Sequence, residues 1–389
     1  MASEGRFNGF QRFSLGHKDL VYAVDYNFYG TRMVTASSDH CLRVWDRKED
    51  GWTVLHAWTA HDAEVTDAKW NGPLAGEILG SIGEDRKLKL WKEDVLEPPN
   101  HGNGDPSSKN ASSRFKQIYV FQTAEVPFMS LDFKNLDNET YLAAIARDGQ
   151  LTVYEPMDHD RLGEEWRVMW QDFLCRTPAR TEETGFRVCW HHEKLPAWPA
   201  ILAGLDRRSL SLAVSVGDTV KVFRTDKDRK FFTAAELTGA RGKGLVRDVA
   251  WANGSMRGFD VIATASKDGF IRVYELHTPN ASDLPTNTLE DSSHSTVPKG
   301  RDAAHMQPSK SGIGAGLAVG SRGGNNEEDG TPGKVTQEVK FVKELQAHEG
   351  AVWRVGFSFH GDLLISTGDD GLVQVWKKTS TANGSNMRR

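Results

Sequence analysis

The sequence predicts an all-β fold, six four-stranded sheets set radially as a β-propeller. Three observations predict it. An aspartate stands six residues before an aromatic in five places: Asp39 and Trp45, Asp85 and Trp91, Asp148 and Tyr154, Asp268 and Tyr274, Asp370 and Trp376. Each pair closes a unit of short apolar runs with period 2, the pattern of half-buried strands. Each unit supplies three strands and then needs a fourth, and radial packing of such sheets leaves few open strand edges.

The first unit, HKDLVYAVDYNFYGTRMVTASSDHCLRVWD at 17–46, is the most complete. It opens with Gly16-His17, runs a strand over 20–26, turns at Gly30, runs a second strand over 33–37, turns at Asp39 and ends Val44-Trp45-Asp46. That ending is the mark of a WD repeat. The second unit begins at Ala60-His61, with a strand over 65–70, a second ending near Ser81 and a third over 85–91. The third has strands over 128–133, 142–146 and 148–154, the fifth over 245–251, 261–265 and 268–274, and the sixth over 352–357, 363–366 and 370–376.

The fourth unit is degenerate. Segments 186–190, 201–204 and 219–223 fit its first three strands, but Asp218 is only five residues from Phe223 and the intervening RRSLSLAVS is irregular. Outer strands are expected over 52–58, 115–121, 166–170, 230–237 and 335–345. Only a polar tail, 378–389, follows the last third strand, so residues 11–15 are expected to complete blade 6 from the other end of the chain. Residues 1–389 then form a single propeller domain with two insertions of disordered composition, 97–113 and 278–334. Both insertions lie between third and fourth strands, which puts them on one face of the disc.

The chain has 389 residues, 38% hydrophobic and 26% charged, enough for a large core. Its net charge of -5 gives no support to wholesale nucleic-acid binding, which needs a basic face. Cys41, Cys175 and Cys189 show no metal-ligand spacing and read as free thiols, which suits a reducing compartment. Residues 1–13 lack an apolar core of signal-peptide length, and no run approaches a membrane span.

His17, Thr35, Asp39 and Trp45 recur as His61, Ser81, Asp85 and Trp91, and again as His348, Ser366, Asp370 and Trp376. A His, a hydroxyl and an Asp are the ingredients of a nucleophilic triad. Repetition in separate blades argues against it, since an enzyme needs one active site. The same residue types resemble the hydrogen-bonded chain of WD repeats, Trp indole to hydroxyl to His to Asp, which locks the inner strands together. Blade 3 lacks the set: Ala144 takes the hydroxyl position and no His precedes its first strand.

Other signatures fail on context. GIGAGLAVG at 312–320 does not join a strand to a helix, as a phosphate-binding loop must. GARGKG at 239–244 lacks a following Ser or Thr, and the neighbouring imidazoles of His191 and His192 would point to opposite sides of a strand. No catalytic residue, cofactor site or metal site is expected.

The first and last units go beyond a generic WD repeat. HKDL, the G-x-R-M turn and the SSD turn at 17–39, with AVWRV and STGDDG at 351–371, resemble the Seh-type nucleoporin, the WD-repeat member of the Y-shaped scaffold complex of the nuclear pore. That resemblance implies an open propeller completed in trans by a β-blade from an α-helical scaffold nucleoporin, bound at the exposed edges and faces of the first and last blades. It also implies residence at the nuclear pore with other Y-complex nucleoporins, and a second role in a vacuolar or lysosomal TOR-regulating complex. The related vesicle-coat propeller and a WD-repeat adaptor or substrate receptor are the alternatives.

Overall fold

The aspartate of each regular unit turns the chain between its second and third strands. In the computed structural model its Oδ1 accepts the backbone N–H two residues on: Cys41, Lys87, Gln150, Phe270 and Leu372 donate to Asp39, Asp85, Asp148, Asp268 and Asp370 over 3.0–3.2 Å. The residue between is left-handed, Gly149, Gly269 and Gly371 in three turns and His40 and Arg86 in the others. The repeated spacing is therefore a local hydrogen-bonded turn that fixes the register of the hairpin it closes. The structure describes residues 13–73, 77–96, 114–122, 125–179, 181–239, 244–254, 257–279, 333–381 and 384–388.

Those residues form six antiparallel four-stranded sheets. Blade 1 is Val21–Tyr26, Arg32–Ser37, Cys41–Lys48 and Gly51–Thr59, and blade 2 is Val65–Trp70, Ile78–Gly83, Lys87–Glu93 and Phe115–Gln122. Blade 3 is Phe128–Leu136, Glu139–Ala146, Gln150–Pro156 and Trp166–Phe173. Blade 5 is Val246–Trp251, Asp260–Ser266, Phe270–His277 and Glu338–Gln346. The first strand of each blade is innermost, and inner strands of consecutive blades stand side by side around a central channel.

Two expectations need correction. Blade 4 is Arg187–Trp190, Ser211–Val216, Thr219–Thr225 and Phe231–Leu237, so the second strand is the segment that looked irregular, and 201–204 is not a strand. Residues Trp198–Leu202 form a single helical turn with Pro199 at its start, whereas Ser211–Val216 alternates small polar and apolar residues and meets the third strand through the left-handed Gly217. Blade 6 is Val352–Phe357, Leu363–Gly368, Val373–Thr381 and Gly384–Arg388. Its outer strand therefore comes from the expected polar tail at 378–389, and residues 13–15 lie in no strand. An outermost strand needs only to pair one ladder edge, so it requires no apolar run.

The expected insertions at 97–113 and, apart from its ends, 278–334 lie outside the described residues, as do 312–320 and most of 239–244. Where the longer insertion returns to the disc, Val335 is buried with Ala200 and Leu205 beside the helical turn.

Candidate functional site

Three blades carry the repeated polar chain. His61 Nδ1 lies 2.8 Å from Asp85, its Nε2 lies 2.8 Å from Ser81 Oγ, and Trp91 Nε1 donates to the same oxygen over 2.8 Å. In blade 1 His17 lies 3.0 Å from Asp39 and 2.8 Å from Thr35 Oγ1, which accepts from Trp45 Nε1 over 3.1 Å. In blade 6 His348 reaches Asp370 over 2.8 Å and Ser366 over 2.9 Å, but Trp376 Nε1 has no hydrogen-bond partner. In all three blades a neutral imidazole with its proton on Nδ1 satisfies its neighbours: it donates to the carboxylate and accepts from the hydroxyl. Burial favours that form by lowering the pKa of His17 and His61 against the opposing pull of Asp39 and Asp85.

This geometry does not serve nucleophilic chemistry. Thr35 and Ser81 are 0% exposed and Ser366 is 1% exposed, so no substrate carbonyl can approach the hydroxyl. Among the described residues no group of three His, Cys, Asp or Glu side chains is arranged to hold a metal ion. His191 is buried against Trp251 and lies 3.6 Å from Glu193, while His192 lies 3.4 Å from Asp132. No described helix is long and apolar enough to cross a membrane.

Blades 4 and 5 use buried arginines, which sequence reasoning missed. Arg224 donates to Gln337, Ser211 and Asp260 over 3.0, 2.9 and 2.6 Å, and both Arg224 and Asp260 are buried. Arg272 bridges Ser266, Asp268 and Glu344. Its cue was an Arg two residues before the aromatic Tyr274, in a unit with no His ahead of its inner strand. Arg224 had no cue, because Asp260 and Gln337 are distant in sequence.

The exposed surface of greatest consequence lies between blades 6 and 1. Apolar clusters join blades 1 and 2, 2 and 3, 3 and 4, 4 and 5, and 5 and 6, and among the described residues none joins 6 to 1. Carboxylates add links elsewhere: Asp25, Asp132 and Asp248 accept the backbone N–H groups of Trp70, Trp190 and Val355 in the following blade over 2.8, 2.8 and 3.0 Å. Between blades 6 and 1 the described hydrogen bond is Arg354 Nη2 donating to the carbonyl of Tyr22 over 2.9 Å. The propeller is open there.

Equivalent positions show what the opening exposes. Leu88 and Leu90 in the third strand of blade 2 are 0% exposed against blade 3, whereas their counterparts Val373 and Val375 in blade 6 are 53% and 42% exposed. On the other wall Tyr26 is 53% exposed where its counterpart Trp70 is 7% exposed. Tyr22, Val24, Tyr26, Phe28, Arg354 and Ile365 line the place where a cavity of ≈ 1550 Å³ in the channel meets the gap. Two apolar walls of blade-packing chemistry thus face solvent, and they are the candidate site.

The model of the WD domain, G-beta repeat, matches residues 9–46 and 339–377, which take in the inner two strands and most or part of the third strand of each blade that flanks this gap. Nucleoporin SEH1 of Chaetomium thermophilum is 28% identical over 93% of this chain and 91% of its own length. Nucleoporin SEH1 of Saccharomyces cerevisiae is 28% identical over 95% of each chain. Nucleoporin seh1 of Schizosaccharomyces pombe is 27% identical over 93% of this chain and 90% of the relative. The chain is similar to these nucleoporins over nearly the whole of its length. The likeness to these nucleoporins runs through all six blades, the degenerate blade 4 included, and is not confined to the WD signatures.

Proposed function

We propose that the chain is a non-catalytic scaffold subunit of the nuclear pore's outer-ring Y-shaped complex, and that an α-helical scaffold nucleoporin completes its propeller by donating a β-blade. The observation that carries this is the pair of exposed apolar walls, Val373 and Val375 on blade 6 and Val24 and Tyr26 on blade 1. Each wall is chemically a blade interface without its blade. A strand edge beside such a wall invites pairing by another chain. Filling the gap would bury on the order of 2,000 Å² or more, the size of permanent complexes, with an interface insensitive to salt.

On this reading the protein resides at the nuclear envelope with other Y-complex nucleoporins. The same gap would serve a vacuolar or lysosomal TOR-regulating complex, or a vesicle coat, because completion needs only a partner with a free β-segment. Co-expression with a scaffold nucleoporin carrying an N-terminal β-segment tests it. The expected result is a stoichiometric complex in which the amides of the inner edge strands Val21–Tyr26 and Val352–Phe357 gain hydrogen-exchange protection. A monodisperse lone chain with those strands already protected would overturn it in favour of a WD-repeat adaptor.

A further inference from the structure

One position in the second strand of every blade faces the following blade. It is the residue just after the one paired with the third-strand aromatic: Val34, Gly80, Ala143, Ala213 and Ala263 in blades 1 to 5, and Ile365 in blade 6. Where a following blade exists, it brings an inner-strand aromatic into the same cluster. Val34 lies with Trp70, Ala143 with Trp190, Ala213 with Trp251 and Ala263 with Phe357. The fit is tightest at Gly80, where a Cβ would come within 2.7 Å of Leu131 and 2.8 Å of Phe133. Val34, the largest of the five, is matched by Ala68 at the place that Leu131 takes in blade 3.

Ile365 breaks this rule on the blade 6 wall that faces the gap. It is 40% exposed and lines the cavity at the gap. A sec-butyl side chain, larger than the hydrogen or methyl at four of the other interfaces and than the Val34 isopropyl that the small Ala68 offsets at the fifth, occupies the space that an inner-strand aromatic takes there. Close packing cannot absorb that bulk without shifting one side or the other. Blade 1 carries Tyr26 at the aromatic position, so the same conflict stands against direct closure of blade 6 on blade 1 and against head-to-tail addition of a second copy.

We propose that Ile365 is the specificity-determining residue of the gap: it excludes β-blades with an aromatic at the facing inner-strand position, this chain's own blade 1 included, and admits a blade with glycine, alanine or serine there. This rests on the reading of the gap as a site for a donated blade and adds the chemistry by which that blade is chosen. It also accounts for the sign of the departure, since a gap left merely unpacked would tolerate the alanine found elsewhere.

The test is selection of a displayed library of three-stranded β-segments, with the facing inner-strand position varied over all residues. The full chain is the bait in wild-type, Ile365→Ala and Ile365→Phe forms, each first shown to keep its far-ultraviolet spectrum and denaturant midpoint. Wild type is expected to enrich glycine, alanine and serine about tenfold over phenylalanine, tyrosine and tryptophan. Ile365→Ala is expected to move the preference to larger residues, and Ile365→Phe to narrow it towards glycine. Binders with the same residue preference on all three baits would overturn the role of Ile365 alone. No binder to any bait would overturn the gap reading with it.

Discussion

His61 is held neutral in the folded chain because burial lowers its pKa against the pull of Asp85. Burial also works against the Asp85 carboxylate, but the imidazole and the N–H groups of Asp62 and Lys87 outweigh it and hold the pKa at about 2. The group's ordinary value is 3.8, so its stabilisation is complete above that pH and is lost as pH falls from 3.8 towards about 2. Acid titration of folded protein should show stability falling in that window, and Asp85→Asn should flatten it. His61→Ala or Asp85→Ala leaves a buried partner unsatisfied and should lower unfolding free energy by about 1–3 kcal/mol, read from the urea midpoint. The indoles separate the three chains further. Trp91→Phe removes a 2.8 Å hydrogen bond and should cost about 1 kcal/mol more than Trp376→Phe, whose Nε1 donates to nothing.

Blade 4 shows how an element can be held without the repeat's own signature. Its second and third strands lack the His, hydroxyl and Trp, and Arg224 instead ties Ser211 to Asp260 of blade 5 and to Gln337 ahead of the outer strand of that blade. The pair Arg224 and Asp260 is almost wholly buried, so removing one partner strands the other's charge. Arg224→Ala or Asp260→Ala should therefore cost about 3–5 kcal/mol, and the double variant less than the sum. Guanidinium unfolding of the three variants provides the cycle. Such a pair fixes how blades 4 and 5 sit together, while the apolar cluster around Val249 and Trp251 supplies most of the burial.

At the scale of the whole molecule the decisive feature is that blade 6 has only one neighbour. The same third-strand chemistry is core in blade 2 and surface in blade 6. Leu90→Asp should consequently prevent folding, because it buries a charge with no partner. Val375→Asp, at the equivalent place, should change the denaturant midpoint by no more than about 0.5 kcal/mol yet abolish recovery of a blade-donating partner. A loss of folding in Val375→Asp would mean that blade 6 is covered within the chain itself.

The sequence by itself determined the strands and most of the blades. The six-residue interval from aspartate to aromatic reflects a turn whose hydrogen bond spans only two residues, so local order suffices to specify it. It also named the members of the polar chains in blades 1, 2 and 6, because each lies within one repeat, although in blade 6 the indole of Trp376 stays outside the chain. Ser211–Val216 was hidden because its register is set by pairing with Arg187–Trp190 across an intervening helical turn. The outer strand at Gly384–Arg388 was hidden because, unlike the other five outer strands, it carries no apolar run. Tertiary structure alone decided the rest. Arg224 finds Asp260 and Gln337 across blades, and the gap lies where blades 6 and 1, at opposite ends of the chain, share no apolar cluster among the described residues. Which walls are covered depends on how side chains from separate repeats close-pack at the other five interfaces, as Gly80 does against Phe133, and no single stretch of sequence contains that.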